Sequence, residues 1–174
     1  MKIRKTKQIM LKCFKDLNPK KVLDIGICKC RCSRGFVEKG AKVTGIDIKE
    51  MELPKEIKFI LSDIRKYEFK EKYDLIIASL VLYFFKKPEA FEVILKIKEN
   101  TLVNGFNFIL NMNPDDANFK KRSDNFYVTE EKLKELYSDW EIMKSGFFET
   151  PLEEHSDIPY HKHNISYVLA KRLK

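Results

Sequence analysis

The chain has 174 residues, of which 44% are hydrophobic and 34% charged, and its net charge is +8. This length suits one domain that buries most of its unfolded surface, so we expect a single domain over residues 1–174. The longest nearly unbroken apolar run, residues 75–85, is shorter than the roughly 18 residues that a membrane helix requires. Lys7 and Lys12 also interrupt the only candidate for a signal-peptide core, so we expect a cytoplasmic protein with no membrane partner.

The lysines are spread along the chain instead of forming one stripe with interleaved aromatics, which disfavours a nucleic-acid partner. Three of the four cysteines alternate within the loop at Cys28, Cys30 and Cys32, a spacing that suits no ordinary disulfide framework. A reducing compartment is therefore expected. No feature of the sequence indicates an oligomeric state.

Short apolar runs and helical patterns alternate over the first two thirds of the chain. Residues 3–16 have a helical period that ends at Asn18-Pro19. The runs VLDIG, KVTGIDI, IKFILSDI and YDLIIAS predict strands, and helices are predicted over Ser33–Lys39 and Pro88–Asn100. This order predicts an α/β fold, a Rossmann-like doubly wound and mostly parallel sheet with helices on both faces.

The last third predicts a different arrangement. Residues 105–113 are predicted to form a strand, and Thr129 is placed to cap a predicted helix whose body is 132–137. Residues 139–149 and 164–173 then look like two long strands separated by a loop rich in His, Pro and acidic residues. No helix fits between them, so we expect an antiparallel hairpin at one edge of the sheet.

Three carboxylates stand at the ends of successive predicted strands, where an open α/β sheet binds its ligands. Asp24 and Gly26 precede a helix that begins near Ser33, Asp47 ends the second strand, and Asp63 follows the third. Asp47 is placed to bind both hydroxyls of a ribose, and Asp63 to accept from an exocyclic amine such as adenine N6. An Asp at a strand end is often only a turn former, but three together favour an adenosine-containing cofactor.

The chain resembles the class I S-adenosylmethionine-dependent methyltransferases. The resemblance lies in the successive motifs VLDIGICKCRCSRGF, GIDI, SDIRKYEF and YDLIIASLVLYF. More narrowly, it resembles the tellurite-resistance methyltransferase group. That likeness rests on Arg31 and Ser33, on VLYFF, on FYVTEEKLKELYSDWE, and on EEH followed by NISYVLAKR. The resemblance implies a seven-stranded sheet whose last strand is antiparallel, S-adenosylmethionine as cofactor, and methyl transfer to a small acceptor.

The resemblance also implies roles for individual residues. Asp47 would bind the ribose, Asp63 with Ile64 the adenine, and Asp24 with Gly26 the methionine end, while Ser79 and Leu80 would lie beside the reacting methyl group. The full set of candidate cofactor-binding residues is Asp24, Gly26, Cys28, Arg31, Asp47, Ile48, Asp63, Ile64, Ser79 and Leu80. No residue is assigned a catalytic role, and no metal ligand is assigned.

Cys28 and Cys30 depart from this pattern, because they stand where the family has glycine. A side chain there narrows the pocket, and a positive φ at a residue other than glycine costs on the order of 1 kcal/mol or more. Either the loop shifts to admit the cofactor, or binding is weakened or lost. The alternatives are therefore a non-catalytic methyltransferase-like binding module and a cysteine-based soft-metal-binding protein. The three thiols could also simply face one small apolar space.

Several other side chains are candidates for the acceptor side of the site. His155 matches a histidine of the tellurite-resistance pattern, whereas His161 and His163 are expected to be exposed. Residues 112–127 could form a lid, with Tyr83, Phe84 and Phe126 either lining the pocket or packing in the core. The fourth strand ends in ASLVLYFF, without the Asn/Asp-Pro-Pro-aromatic motif that holds planar amino groups. The acceptor is therefore expected to be small: a chalcogen oxyanion such as tellurite, a thiol or a small metabolite.

Overall fold

The computed structural model describes residues 5–116, 121–155 and 158–174. It contains a seven-stranded sheet in the order β3-β2-β1-β4-β5-β9-β6 and a separate two-stranded ribbon of β7 and β8. The strands are β1 Lys21–Ile25, β2 Lys42–Asp47, β3 Ile57–Leu61, β4 Tyr73–Ser79, β5 Thr101–Met112, β6 Glu141–Glu149, β7 Glu153–His155, β8 Ile158–His161 and β9 Asn164–Lys171. The helices are α1 Lys5–Phe14, α2 Arg34–Glu38, α3 Lys87–Glu99 and α4 Glu130–Leu136, with a single 3₁₀ turn at Leu82–Phe84.

The first five strands pair in parallel, and β9 lies antiparallel between β5 and β6. This arrangement confirms the predicted Rossmann-like, mostly parallel sheet, with its last strand antiparallel. Among the helices that the structure describes, none is long and apolar enough to span a bilayer.

Alternation along each strand divides the core into two layers, because successive side chains of a strand point to opposite faces. In β4, Ile76 and Ala78 pack on the side of α3 and α4, whereas Leu75 and Ile77 pack on the side of α1 and α2. The helices contribute their buried residues accordingly: Ala90, Val93, Ile94, Ile97 and Leu133 to the first layer, and Met10, Cys13, Phe14 and Phe36 to the second. Each helix pair therefore covers one face of the sheet.

Two features of the C-terminal half differ from the predictions. Strand β5 begins at Thr101 and not at residue 105, because Asn104 takes a φ of 62° without leaving the strand. Asn-Gly is a strong turn signal, which made this pair look like the boundary. Residues 153–155 and 158–161 form a short ribbon where a loop was expected. By contrast, the Thr129 cap is confirmed, since its Oγ1 accepts from the Lys132 N–H at 3.2 Å.

The register of the sheet determines which residues meet at its carboxyl edge. Asp47 is paired with Leu61 at the ends of β2 and β3, and Ser79 with Leu110 in β4 and β5. Strand β5 continues two residues further, to Met112, which pairs with Ile165 near the start of β9. The ends of the parallel strands and the beginning of β9 therefore face the same side of the molecule.

Candidate active site

The loop after β1 follows a left-handed path at three positions. Gly26 has a φ of 68°, and a Cβ there would lie 2.9 Å from Val81 Cγ2, so only glycine fits. Cys28 and Cys30 have φ values of 47° and 48°. Both cysteines thus adopt the backbone conformation that a glycine would adopt most easily, and the loop retains its tight turns despite the two substitutions.

The carboxylate of Asp47 binds this loop to the end of β2. Its Oδ2 accepts the Cys28 N–H at 3.1 Å, and its Oδ1 accepts the Lys49 N–H at 3.1 Å. The Gly26 N–H donates to the Ile46 carbonyl at 2.8 Å, which brings the loop against the same strand. Each oxygen of a carboxylate can accept more than one hydrogen bond, so the half-buried Asp47 still offers two adjacent acceptor positions.

Asp24 lies beneath the loop and is only 2% exposed. The Ser33 hydroxyl, which is also buried, donates to its Oδ2 at 2.7 Å. Burial raises the pKa of Asp24 to about 7, the Ser33 hydrogen bond opposes that rise, and nearby Asp47 adds to it. Asp24 is therefore a buried carboxyl group whose pKa lies near neutral pH.

Asp63 is paired within its own turn. The Arg65 guanidinium donates to both carboxylate oxygens, with its shortest contact from Nη2 to Oδ2 at 2.6 Å, and this hydrogen bonding lowers the pKa of Asp63. The pair is partly exposed, so it is worth about 1 kcal/mol or less and can yield to a ligand. The Ile64 side chain is buried in the core, so a contact from Ile64 would come from its backbone, whereas Ile48 is 68% exposed beside Asp47.

The end of β4 approaches the same loop from the other side. Leu80 has a φ of 53°, and its N–H donates to the Leu110 carbonyl at 2.7 Å. The Ser79 hydroxyl is within hydrogen-bonding reach of the Cys32 thiol, whose pKa burial raises to about 12. Arg31 is exposed and faces a cavity of about 350 Å³ between α1 and α2.

A family model described as "Tellurite resistance protein TehB" matches residues 2–150 of this sequence. The chain belongs to the TehB tellurite-resistance protein family. It is 33% identical over 141 residues to the protein of Haemophilus influenzae named "Probable S-adenosyl-L-methionine-dependent methyltransferase TehB", covering 75% of this chain and 49% of that protein. The chain thus spans about half the length of this relative.

Solved structures show the same fold. The crystal structure of TehB from Haemophilus influenzae superposes with a TM-score of 0.76 at 24% identity, covering 95% of this chain and 62% of that one. The 1,6-didemethyltoxoflavin-N1-methyltransferase of Burkholderia thailandensis, with bound 1,6-didemethyltoxoflavin and S-adenosylhomocysteine, has a TM-score of 0.69 at 17% identity. Its alignment covers 97% of this chain and 76% of that chain.

The cysteines of this TehB-family chain do not share one environment. Cys28 is exposed, whereas Cys30 is 2% exposed and packs in the layer of α1 and α2. The interpretation that all three thiols face one small apolar space is therefore wrong. Among the side chains that the structure describes, no three of His, Cys, Asp or Glu are grouped so that they could hold a metal ion.

Two histidines expected at the surface of the TehB-family chain are instead buried or nearly so, which corrects that prediction. His161 is 8% exposed, and its Nε2 lies 3.1 Å from Nε2 of His163. Nδ1 of His163 lies 2.9 Å from Oδ2 of Asp116, whose side chain is fully buried. The backbone of His155 lies in β7, but its side chain is outside the described part of the structure, so its match to the TehB pattern stays a prediction.

Asp116 and Ser33 were not among the predicted site residues. Ser33 was named as the start of a helix and as one of the residues that carry the family resemblance, but not as a site residue, although its hydroxyl is the partner of Asp24. Asp116 belongs to the segment 112–127 that was expected to form a lid, of which residues 117–120 lie outside the described structure. The sequence signal that could have indicated Asp116 is the pair of consecutive acids, Asp115 and Asp116, that follows the buried strand β5. Of the proposed wall residues, Phe126 is buried in the core and Phe84 is exposed.

Replacing Cys28 by glycine should stabilise the protein. The change relieves a positive φ at an exposed side chain, so we expect the free energy of unfolding to rise by about 1 kcal/mol. Cys28→Ala keeps a Cβ at the same φ and serves as the matched control, with little change expected. Cys30→Gly relieves the same strain but removes a buried side chain, so it should bring no gain. Urea unfolding under reducing conditions measures all three, and equal stabilities for Cys28→Gly and Cys28→Ala would refute the argument.

Asp24 should make stability depend on pH. Because its pKa is raised in the folded state, the stability it contributes is fully present below about pH 4 and is lost as the pH rises through about 7. Asp24→Asn still accepts the Ser33 hydrogen bond without a charge. It should therefore gain stability over the parent between pH 4 and 8, by about 4 kcal/mol at most. Urea unfolding across this range tests it. The exposed Asp124→Asn is the control, and a pH-independent difference for Asp24→Asn would contradict the assignment.

Proposed function

We propose that this chain is an S-adenosylmethionine-dependent methyltransferase that acts on a small acceptor. The observation that carries the proposal is the Asp47 carboxylate, held at the carboxyl edge by the N–H groups of Cys28 and Lys49. It presents two adjacent oxygens beside the exposed Ile48. This arrangement matches the two neighbouring hydroxyls of a ribose and an apolar surface on which a base can rest.

The residues present fit an adenosine-containing cofactor, although the loop carries cysteines. The φ values of Cys28 and Cys30 keep the backbone on the path that glycines allow. Because the Cys28 side chain is exposed, it does not fill the interior of the loop. Asp24 would hold a cationic group at the methionine end, and Asp63 would face the base once its exposed pairing with Arg65 loosens.

When bound, S-adenosylmethionine supplies an already activated methyl group on a sulfonium centre. The contribution of the chain is then largely positional, since proximity and orientation account for much of the acceleration of such a transfer. Ser79 is the last residue of β4, and Leu80 follows it in a left-handed conformation. In the sheet, β4 lies between β5 and the three strands whose ends carry the carboxylates. These two residues would lie beside the transferred group.

A small acceptor is supported by what surrounds the end of β4. The Phe126 N–H donates to the Phe85 carbonyl at 2.9 Å, and the Asn125 side chain donates to the Tyr83 carbonyl at 3.0 Å. These bonds hold the described end of the segment 112–127 against the loop after β4, where the acceptor would bind. The methyltransferase of Burkholderia thailandensis, which has a similar fold, holds the small molecule 1,6-didemethyltoxoflavin.

Titration calorimetry with S-adenosylhomocysteine tests the proposal on the reduced, metal-stripped protein. We expect a Kd on the order of micromolar, equivalent to about −8 kcal/mol. Asp47→Asn should weaken binding at least about tenfold, because it loses a charged acceptor for the ribose hydroxyls. Glu68→Gln, which removes an exposed carboxylate away from the site, should bind like the parent.

Absence of binding to a demonstrably folded protein would overturn the enzyme proposal. It would favour the alternative of a non-catalytic methyltransferase-like module. The observation behind that alternative is that Cys28 and Cys30 both occupy left-handed positions at a cost in backbone energy.

A further inference from the structure

The carboxylate of Asp63 is fully engaged by Arg65. Its Oδ1 accepts the backbone N–H and Nε of Arg65, each at 3.0 Å, and its Oδ2 accepts Nη2 at 2.6 Å and Nε at 3.1 Å. These contacts match the roughly four lone-pair positions that a carboxylate offers. A ligand that donates to Asp63, as the exocyclic amine of adenine would, therefore has to displace the Arg65 side chain.

The Arg65 guanidinium also has partners outside this turn. Its Nη1 donates to Oε1 of Glu89 at 2.7 Å, and its Cζ lies 5.1 Å from the centroid of the Phe85 ring, within the range of a cation–π contact. Glu89 lies in the first turn of α3, and Phe85 lies in the loop between β4 and α3. The nitrogen that binds Glu89 is different from the two that bind Asp63. The guanidinium can thus release Asp63 and still be held by Glu89 and Phe85.

Glu89 is itself held in place, which makes it a fixed second partner. Its Oε2 accepts the Lys86 N–H at 2.9 Å. Hydrogen bonds from the Lys86 backbone and from the Arg65 side chain lower the pKa of Glu89, and hydrogen bonding by Arg65 lowers the pKa of Asp63. One guanidinium therefore lies between two ionised carboxylates. Once Nη2 leaves Asp63, it can join Nη1 in a two-bond pair with Glu89.

The backbone keeps Asp63 in place when the Arg65 side chain leaves. The Arg65 backbone N–H donates to Oδ1 at 3.0 Å, and this bond does not depend on the rotamer of the side chain. The side chains of Arg65 and Asp63 are 42% and 21% exposed, so water reaches the ion pair and weakens it. Release therefore costs little and leaves Oδ2 open to a donor from a ligand.

We propose that Arg65 competes with the adenine amine for Asp63, and that cofactor binding leaves its guanidinium on Glu89 and Phe85 alone. This inference rests on the proposed methyltransferase function and gives Arg65 a role in affinity and in selection of the base. Hypoxanthine has a 6-oxo group in place of the amine of adenine. That oxygen accepts from the Arg65 guanidinium but is repelled by the Asp63 carboxylate. Release of Arg65 therefore favours adenine over hypoxanthine.

Titration calorimetry of the full chain with S-adenosylhomocysteine tests the competition. Arg65→Gln removes the competitor, so it should bind about threefold to fivefold more tightly than the parent. Glu89→Gln still accepts the Lys86 N–H but loses the charge that holds the released guanidinium, so its binding should weaken about twofold to threefold. Lys70→Gln, the matched control, removes a positive charge from an exposed pair with Glu68 and should bind like the parent.

The role in base selection is tested with S-inosylhomocysteine, which carries hypoxanthine in place of adenine. Arg65→Gln should bind this compound no more tightly than the parent does, because Arg65 is a donor for its 6-oxo group. The preference for the adenine compound should therefore increase about threefold or more. High ionic strength should bring the parent and Arg65→Gln closer together in their affinity for S-adenosylhomocysteine, because salt screens the exposed Arg65–Asp63 pair.

The outcomes separate this inference from the proposed function. If the parent binds S-adenosylhomocysteine and a folded Arg65→Gln binds it equally or more weakly, the competition is overturned and the proposed function stands. Binding by neither protein would overturn both. Should Arg65→Gln fail to fold, Arg65→Lys decides in its place. It keeps the charge but lacks the planar fork, so it should also bind more tightly than the parent, by a smaller factor.

Discussion

The left-handed turn of the loop after β1 is the constraint on which the rest of the site depends. In the eight residues 26–33 this loop must reverse the chain between the buried end of β1 and the start of α2. Positive φ values at Gly26, Cys28 and Cys30 make this possible. The turn points the Cys28 N–H at the Asp47 carboxylate and brings the Ser33 hydroxyl over Asp24. Both carboxylates therefore take their positions from a backbone conformation that is costly at two of its three left-handed residues.

This cost in backbone energy indicates that hydrogen bonds and packing hold the loop in its conformation. The intrinsic conformational preference of its residues does not. The Cys30 N–H donates to the Ile27 carbonyl at 2.8 Å, and the Cys30 side chain packs in the layer beneath. Burial of that side chain is worth about 1 kcal/mol or more, which is similar to the strain of one left-handed residue. At the exposed Cys28 no such compensation exists beyond the single bond to Asp47. Within the loop, then, Cys30 has a structural reason to be there, whereas the structure gives none for the Cys28 thiol.

The fold was predictable because its signals are local, whereas part of the site was not because its signals are distant in sequence. Alternating short apolar runs specify parallel strands, and an Asp at a strand end reaches the carboxyl edge in any such sheet. Asp116 and His163, however, are 47 residues apart and meet only when β9 inserts beside β5. A reading of His163 as an exposed loop residue could not anticipate that insertion. Arg65 is close in sequence to Asp63, but a lone arginine after an acid is too common to predict a pair.

The pH acts on the proposed site through Asp24. Asp24 would have to lose its proton to hold a cationic group, and burial raises its pKa to about 7. Raising the pH therefore favours the ionised carboxylate, and this ionisation would act on cofactor affinity and not on turnover of the bound complex. A rise of activity with pH would be assigned by asking whether it resides in binding or in kcat.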